Sequence, residues 1–143
     1  MSGPRWFPDD MPVPAASRDT LPWWQACAAH RLLVQRCRAC GRTRLPPRPL
    51  CPECRSFDAE WVEVSGRGTI YTYTIVHRAP VASLRGRPPY VVIVVELDDA
   101  GGARLASNLV DAAPERVRVG LRVEVAWEDM GPALAVPRFR PLA

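Results

Sequence analysis

The chain of 143 residues contains no lysine, and all 19 of its positively charged side chains are arginines. Against 15 acidic residues this gives a net charge of +4. So small a surplus does not by itself predict nucleic-acid binding. Guanidinium groups suit bidentate contact with phosphates and carboxylates. The arginines are therefore interpreted either as a solvated surface or as part of a site for an anionic ligand.

Long apolar runs are also missing. No stretch approaches the roughly 20 apolar residues that a membrane helix requires. The first residues have neither the apolar segment nor the small-residue cleavage site of a signal peptide. These absences predict a cytoplasmic protein that does not contact the membrane. In that compartment cysteines are more often metal ligands than partners in disulfides.

Recognisable catalytic motifs are absent. No phosphate-binding loop, dinucleotide fingerprint or serine elbow occurs, and His30 and His77 are the only histidines. His77 follows a predicted strand and is interpreted as a surface residue rather than an acid–base group. Cys27 lies on the apolar side of a predicted helix, where a free thiol behaves as a small hydrophobic side chain. We therefore predict no catalytic residue, and no enzymatic activity of the chain alone.

Four of the five cysteines form two C-x-x-C pairs, Cys37–Cys40 and Cys51–Cys54, with ten residues between the pairs. Each pair can place two sulfurs on one side of a tight turn, and Gly41 can supply the positive φ that such a turn needs. Two facing turns give a tetrahedron of thiolates, which zinc prefers and which leaves no position for a reactive water. The spacing predicts a structural zinc site. Iron in a rubredoxin-like site is the main alternative, and two disulfides are a weaker one.

The rest of the chain predicts a mainly β fold. Residues 1–19 are rich in proline and are predicted to form an extended arm. A helix is predicted from the Asp19-Thr20 cap, with Pro22 in its first turn, to about His30. One long strand, Trp61–Val76 bent at two glycines, is followed by four more, and this order is typical of a five-stranded Greek-key barrel of OB type. We expect an arm (1–19), a helix with a zinc ribbon (20–60) and an OB-fold domain (61–143).

Three segments together resemble the DUF35 family, in which a rubredoxin-like zinc ribbon precedes an acyl-CoA-associated OB-fold. They are Leu32–Gly41, Pro46–Cys54 and Trp61–Tyr71, and the likeness extends over roughly residues 20 to 140. The resemblance implies a hetero-oligomer with a thiolase-like partner, namely a thiolase, a hydroxymethylglutaryl-CoA synthase or a lipid-transfer-type aldolase. The partner would hold the catalytic groups, and acyl-CoA would be a shared ligand.

Two surfaces are candidates for these contacts. Arg78, Arg85 and Arg87, in or beside the loop 79–89, are expected either to meet the phosphates of CoA or to form a solvated basic loop. Four aromatic residues outside the barrel are expected to bind the partner, with the arm disordered until it does; alternatively, the tryptophans of the helix seal the gap between ribbon and barrel. These four are Trp6, Phe7, Trp23 and Trp24.

A nucleic-acid-binding zinc-ribbon and OB-fold module is the alternative function. It is disfavoured because no stacking platform is predicted on the second and third barrel strands. The second, Tyr90–Leu97, is apolar at successive positions, so both of its faces are expected to be buried. The third, Arg104–Val110, carries no aromatic side chain.

Overall fold

The computed structural model describes residues 3–143. Within them the chain forms a helix, a three-stranded sheet and a closed five-stranded barrel. Single turns of 3₁₀ helix occupy Ala82–Leu84 and Pro114–Arg116. The other elements, in chain order, are α1 (Leu21–Ala28), β1 (Leu32–Cys37), β2 (Thr43–Arg44), β3 (Ala59–Val64), β4 (Arg67–Val76), β5 (Tyr90–Leu97), β6 (Arg104–Leu109), β7 (Arg122–Asp129) and β8 (Ala135–Pro141).

Helix α1 starts where the sequence predicts, with Pro22 in the first turn, where its missing N–H is not needed. The predicted side-chain cap is wrong. The Thr20 hydroxyl accepts a hydrogen bond from the Ser17 N–H at 2.9 Å and does not cap the helix. The helix ends at Ala28, because His30 adopts a φ of +57°. In residues 3–143 no helix is long and apolar enough to cross a membrane.

The small sheet has the order β2-β1-β3, and both pairs are antiparallel. Its last strand corrects the prediction of one long strand, Trp61–Val76. The structure divides that stretch at Ser65 and Gly66, so that β3 pairs with β1 whereas β4 enters the barrel. Gly66 has a φ of +84°, and a Cβ there would lie 2.4 Å from Val125 Cγ1. Glycine therefore permits both the turn and the close approach to the barrel.

The barrel has the order β4-β5-β6-β8-β7 and closes by pairing β7 with β4. All neighbours are antiparallel except β6 and β8, which run parallel where Leu109 meets Phe139. This is the strand order of an OB-fold. Every strand of the barrel contributes buried side chains to the interior, and Ile93, Val95 and Phe139 are fully buried there. The predicted fold class is confirmed.

The N-terminal arm lies against the barrel. The backbone N–H groups of Trp6 and Phe7 donate to the buried carboxylate of Glu128. The Phe7 ring contacts Tyr90 edge to face, with 5.8 Å between centroids, and the Arg138 guanidinium lies 4.5 Å from the Phe7 centroid. The arm was expected to be disordered in the absence of a partner, whereas here it is held by contacts within the chain. The buried Glu128 carboxylate accepts hydrogen bonds from two backbone N–H groups of the arm.

Candidate functional site

The ribbon brings the four predicted ligand cysteines together. Their sulfurs all lie within 4.8 Å of one another. The Cys37 and Cys54 sulfurs are 3.5 Å apart, and those of Cys40 and Cys51 are 3.7 Å apart. A zinc tetrahedron with bonds of about 2.3 Å has sulfur–sulfur edges of about 3.8 Å. The cluster therefore has the size that one such ion requires, whereas a disulfide would need about 2.05 Å.

Both C-x-x-C turns have the same backbone geometry. In each turn, the backbone carbonyl of the first cysteine accepts a hydrogen bond from the N–H of the residue four positions later. The N–H of that same cysteine donates to the carbonyl of the residue five positions later. The residue that makes the first of these bonds has a positive φ, +77° for Gly41 and +62° for Arg55. The four distances are Gly41–Cys37 2.9 Å, Cys37–Arg42 2.8 Å, Arg55–Cys51 2.9 Å and Cys51–Ser56 2.9 Å.

The electrostatics of the cluster favour a bound cation. Backbone hydrogen bonds from Cys54 and then Glu53 lower the pKa of Cys51 to about 6, and those from Cys40 and Ala39 lower the pKa of Cys37. The Ser56 N–H lowers the pKa of Cys54, but the three neighbouring sulfurs have the larger, opposite effect and raise this pKa to about 12. Because adjacent thiolates repel each other, a cation bound between the four sulfurs would favour the ionised form of all of them, that of Cys54 included.

The surroundings of the cluster fit a structural role. Cys37 and Cys51 are buried, and the other two ligands lie at the surface. Two of the nearby arginines pair with carboxylates: Arg36 lies 2.7 Å from Glu60 and Arg42 3.4 Å from Glu53. A complete set of four protein sulfurs leaves no coordination position for substrate. The metal would therefore hold the two turns together and supply no reaction.

The arginines predicted to meet CoA all lie on the connection between β4 and β5. Arg87 lines a cleft of about 540 Å³ at one end of the barrel, and its Nη2 donates to the Trp6 carbonyl at 3.1 Å. His77 lines the same cleft, whereas Arg78 and Arg85 are exposed on the loop outside it. The structure thus places one of the three arginines in a cleft.

A second, apolar groove of about 550 Å³ separates the helix and ribbon from the outer face of the barrel. Trp23 is buried, and its indole N–H donates to the Leu33 carbonyl at 2.9 Å. Trp24 is half-buried and packs edge to face on Trp23. Both tryptophans thus line this groove, so they do not seal the gap between ribbon and barrel, and their contact with a partner stays a prediction.

Cys27, His30 and Asp129 line neither of these two clefts. Burial raises the pKa of the Cys27 thiol to about 12, so it stays protonated at neutral pH and packs as an apolar group. Sequence reasoning missed the pair of His30 and Asp129, which are 2.6 Å apart with His30 stacked on Trp127. Its members are 99 residues apart in the chain, and no local pattern joins them.

Comparison with known proteins gives matches over both parts of this architecture. The family models described as "ChsH2, rubredoxin-like zinc ribbon domain" and "ChsH2, C-terminal OB-fold domain" match residues 24–60 and 61–128. A probable enoyl-CoA hydratase alpha subunit of Thermomonospora curvata is 43% identical over 130 residues, which are 91% of this chain and 40% of that protein. The chain thus spans well under half of that relative's length.

Two further relatives match over most of their own length. A DUF35 domain-containing scaffold protein of Methanocaldococcus jannaschii is 37% identical over 106 residues, which are 73% of each protein. A solved structure described as Ltp2-ChsH2(DUF35) aldolase contains a chain that superposes with a TM-score of 0.79 at 43% identity. That match covers 90% of this chain and 98% of the other.

The fold and the cysteine cluster define this protein as a zinc ribbon joined to an OB-fold barrel. It belongs to the DUF35 family, as the resemblance of its motifs implied.

Proposed function

We propose that this chain is a non-catalytic subunit of an acyl-CoA-processing complex, in which a thiolase-like or lipid-transfer-type enzyme carries out the chemistry. The observation that carries the proposal is the likeness, over nearly the whole of both chains, to a chain of the Ltp2-ChsH2(DUF35) aldolase. The hydratase alpha subunit that shares 43% identity supports a role beside enzymes of CoA thioesters. The chain's own groups agree, because its metal ligands leave no open coordination position and Cys27 is a protonated, buried thiol.

We propose that this chain and its partner enzyme bind acyl-CoA together. The cleft at the end of the barrel combines apolar walls with the guanidinium of Arg87, and Arg78 and Arg85 lie on the adjoining loop. Apolar walls suit the pantetheine arm or the acyl chain of acyl-CoA, and guanidinium groups suit the phosphates of its CoA part. A charge-neutral replacement of all three arginines is therefore expected to weaken CoA binding by the complex without unfolding the barrel.

Complex formation is the direct test. The Ltp2 subunit of the Ltp2-ChsH2(DUF35) aldolase is the probe, mixed with the purified chain and measured by size-exclusion chromatography with light scattering. We expect a mixed species whose mass contains both proteins. Separate elution at micromolar concentrations would count against this class of partner. Deletion of residues 1–18 is expected to weaken the complex, and undiminished association would assign the interface to the ribbon or barrel.

Activity assays separate the subunit from an enzyme. The chain alone is expected to turn over no acyl-CoA substrate, because no nucleophile with an adjacent base was recognised in it. The partner alone and the mixture are the controls. Turnover by the isolated chain at the rate of the mixture would overturn the accessory role.

Nucleic-acid binding remains the alternative, and one observation favours it. Tyr71 and Tyr73 on β4 are 49% and 41% exposed, and exposed aromatic rings can stack on bases. However, the Arg104 guanidinium already lies 3.6 Å from the centroid of the Tyr71 ring. Salt-sensitive binding of single-stranded oligonucleotides by the isolated chain, lost in Tyr73→Ala, would support this alternative.

A further inference from the structure

The second half of β4 is a strand edge without a partner among residues 3–143. β4 pairs with β5 from Gly68 to Val76, but with β7 only over Arg67–Thr69. The turn that precedes β7 adds hydrogen bonds to the N–H and the carbonyl of Ile70. From Tyr71 to Val76 no element of the described chain besides β5 exchanges backbone hydrogen bonds with β4. We call residues 71–76 the free edge of β4.

The backbone groups that face this edge follow from the strand register. The Leu97 N–H donates to a carbonyl on the β6 side, and the bonding direction alternates along a strand. Val92 therefore bonds towards β4, where its partner is Thr74. The residues on either side of Thr74 point the other way, so the N–H and C=O groups of Tyr73 and Ile75 are directed towards the free edge. Such a row of unpaired groups is what an added strand recognises.

The free edge lacks the features that usually prevent strand pairing. Edge strands are commonly protected by charged side chains, by proline or by a covering loop. Residues 71–76 include no charged residue and no proline, and Tyr71–Thr74 are exposed. Tyrosine, threonine, isoleucine and valine all favour extended strands. The edge is therefore open and suited to the addition of a strand.

The charges beside the edge select the kind of strand. Arg67 at the start of β4 and Arg78 just beyond its end are exposed, and neither belongs to an ion pair within residues 3–143. A second copy of the chain, paired antiparallel through the same edge, would bring the Arg78 of one copy towards the Arg67 of the other, and like charges repel. A segment with carboxylates at its ends would instead neutralise both. An added strand of this length buries less than the roughly 1,200 Å² of a stable interface, so it extends a larger contact.

We propose that the free edge of β4 binds an extended segment of the partner enzyme as an added strand, uncharged at its centre and acidic at its ends. Because the segment belongs to the partner enzyme proposed above, this assignment rests on that proposed function. Backbone hydrogen bonds to Tyr73 and Ile75 supply the affinity. The arginines at the two ends select the acidic flanks.

Hydrogen exchange resolved to single amides tests the proposal in the complex with the Ltp2 subunit of the Ltp2-ChsH2(DUF35) aldolase. The amides of Tyr73 and Ile75 should exchange fast in the isolated chain and about tenfold or more slowly in the complex, because they become hydrogen-bonded. The Thr74 amide bonds to β5 in both states and should be protected in both. Failure to form a complex would overturn the proposed function and the edge assignment with it. A complex in which Tyr73 and Ile75 still exchange fast would overturn the edge assignment alone.

Two substitutions at one position separate backbone pairing from contact with the ring. Tyr73→Pro removes an N–H from the free edge, whereas Tyr73→Ala removes the ring and keeps the N–H. Proline is tolerated here because the N–H of residue 73 does not bond to β5. We expect Tyr73→Pro to weaken binding of the Ltp2 subunit about tenfold, and Tyr73→Ala by much less, at unchanged zinc content. Wild-type affinity in Tyr73→Pro, or an equal loss in both variants, would overturn the proposal.

The acidic flanks and the second copy are tested separately. Arg67→Glu should weaken the complex, whereas Arg48→Glu, at an exposed position on the ribbon, should not. Equal effects of these two variants would contradict the acidic flanks. In the isolated chain, protection of Tyr73 that rises with protein concentration, together with the mass of a dimer, would assign the edge to a second copy and overturn the proposal.

Discussion

At the scale of single residues, the two metal-binding turns carry different residues at the position with a positive φ, Gly41 in one and Arg55 in the other. Gly41 and Arg55 both have a positive φ, but only glycine adopts this conformation without steric cost. Arg55→Gly is therefore expected to raise the free energy of unfolding by about 1 kcal/mol. Urea unfolding of the zinc-loaded protein measures it.

Gly41→Ala is the matched control, and it should lower stability by about 1 kcal/mol for the same reason. A Cβ at position 41 would meet no atom within 4 Å, so its effect reports backbone conformation alone. Opposite signs for the two variants support the shared geometry of the turns. Destabilisation in both would mean that the Arg55 side chain makes a contact more important than its backbone strain.

Substitution of Glu128 is predicted to lower the free energy of unfolding strongly. It is fully buried and accepts hydrogen bonds from Arg138, at 2.8 Å from Nη2, and from two backbone N–H groups of the arm. Glu128→Gln leaves the Arg138 charge largely uncompensated and should destabilise the protein by about 3 kcal/mol. Glu124→Gln breaks the exposed pair with Arg140 on the same two strands and should cost less than about 1 kcal/mol.

The contribution of Glu128 should also depend on pH. Burial alone would raise the pKa of this carboxyl, but the hydrogen bonds from Arg138 and the arm outweigh it and hold the pKa below its usual range. A lowered folded-state pKa stabilises the protein above about pH 4.3, and the effect is lost as pH falls through the folded-state value. The difference between wild type and Glu128→Gln should therefore be large at about pH 7 and shrink at about pH 3. A constant difference would contradict the ionised pair.

At this scale, the local spacing of the cysteines predicted the metal site, whereas contacts between residues far apart in the chain could not be predicted from the sequence. The four cysteines lie in two pairs within 18 residues, so their spacing predicted the cluster that the structure assembles. The contacts between Glu128 and the arm join residues 122 positions apart. No periodicity or motif encodes such a contact, which arises only when the barrel has closed.

At the scale of elements, β-branched residues and the turns between them predicted most barrel strands, because such side chains suit a pleated sheet. The run from Tyr90 to Leu97 is a strand with the predicted bounds. The two-residue strand Thr43–Arg44 was missed, since it is too short for any period. The break at Gly66 was interpreted as a bend in one strand, because a glycine can mark either a bend or the border between two strands. The domain boundaries at residues 19 and 60 stay predictions.

Substitutions in the N-terminal arm test whether it packs on the barrel. Trp6→Ala with Phe7→Ala should lower stability by about 2 kcal/mol, because apolar contact with the barrel is lost. Pro12→Ala with Pro14→Ala changes exposed positions of the same arm and should have almost no effect. Thermal unfolding followed by circular dichroism compares the pairs. Equal melting temperatures for wild type and both double variants would mean that the arm does not pack on the barrel.

At the scale of the whole molecule, ribbon and barrel share one apolar core. Trp23 and Val34 from the first part pack in the same buried cluster as Ile93 and Phe139 from the barrel. Loss of the metal should therefore propagate beyond the cysteine turns. We expect a chelator to lower the melting temperature of the entire chain in one transition, because metal binding contributes directly to folding. Two separate transitions would show that the barrel folds independently of the ribbon.

The metal content of the purified chain tests the central structural claim most directly. Elemental analysis by mass spectrometry should find one zinc per chain, and Cys40→Ser should lose the zinc together with the ribbon fold. A matched Cys27→Ser variant removes a cysteine outside the cluster and should keep the metal. Absence of metal, iron in place of zinc, or wild-type zinc content and stability in Cys40→Ser would contradict the account.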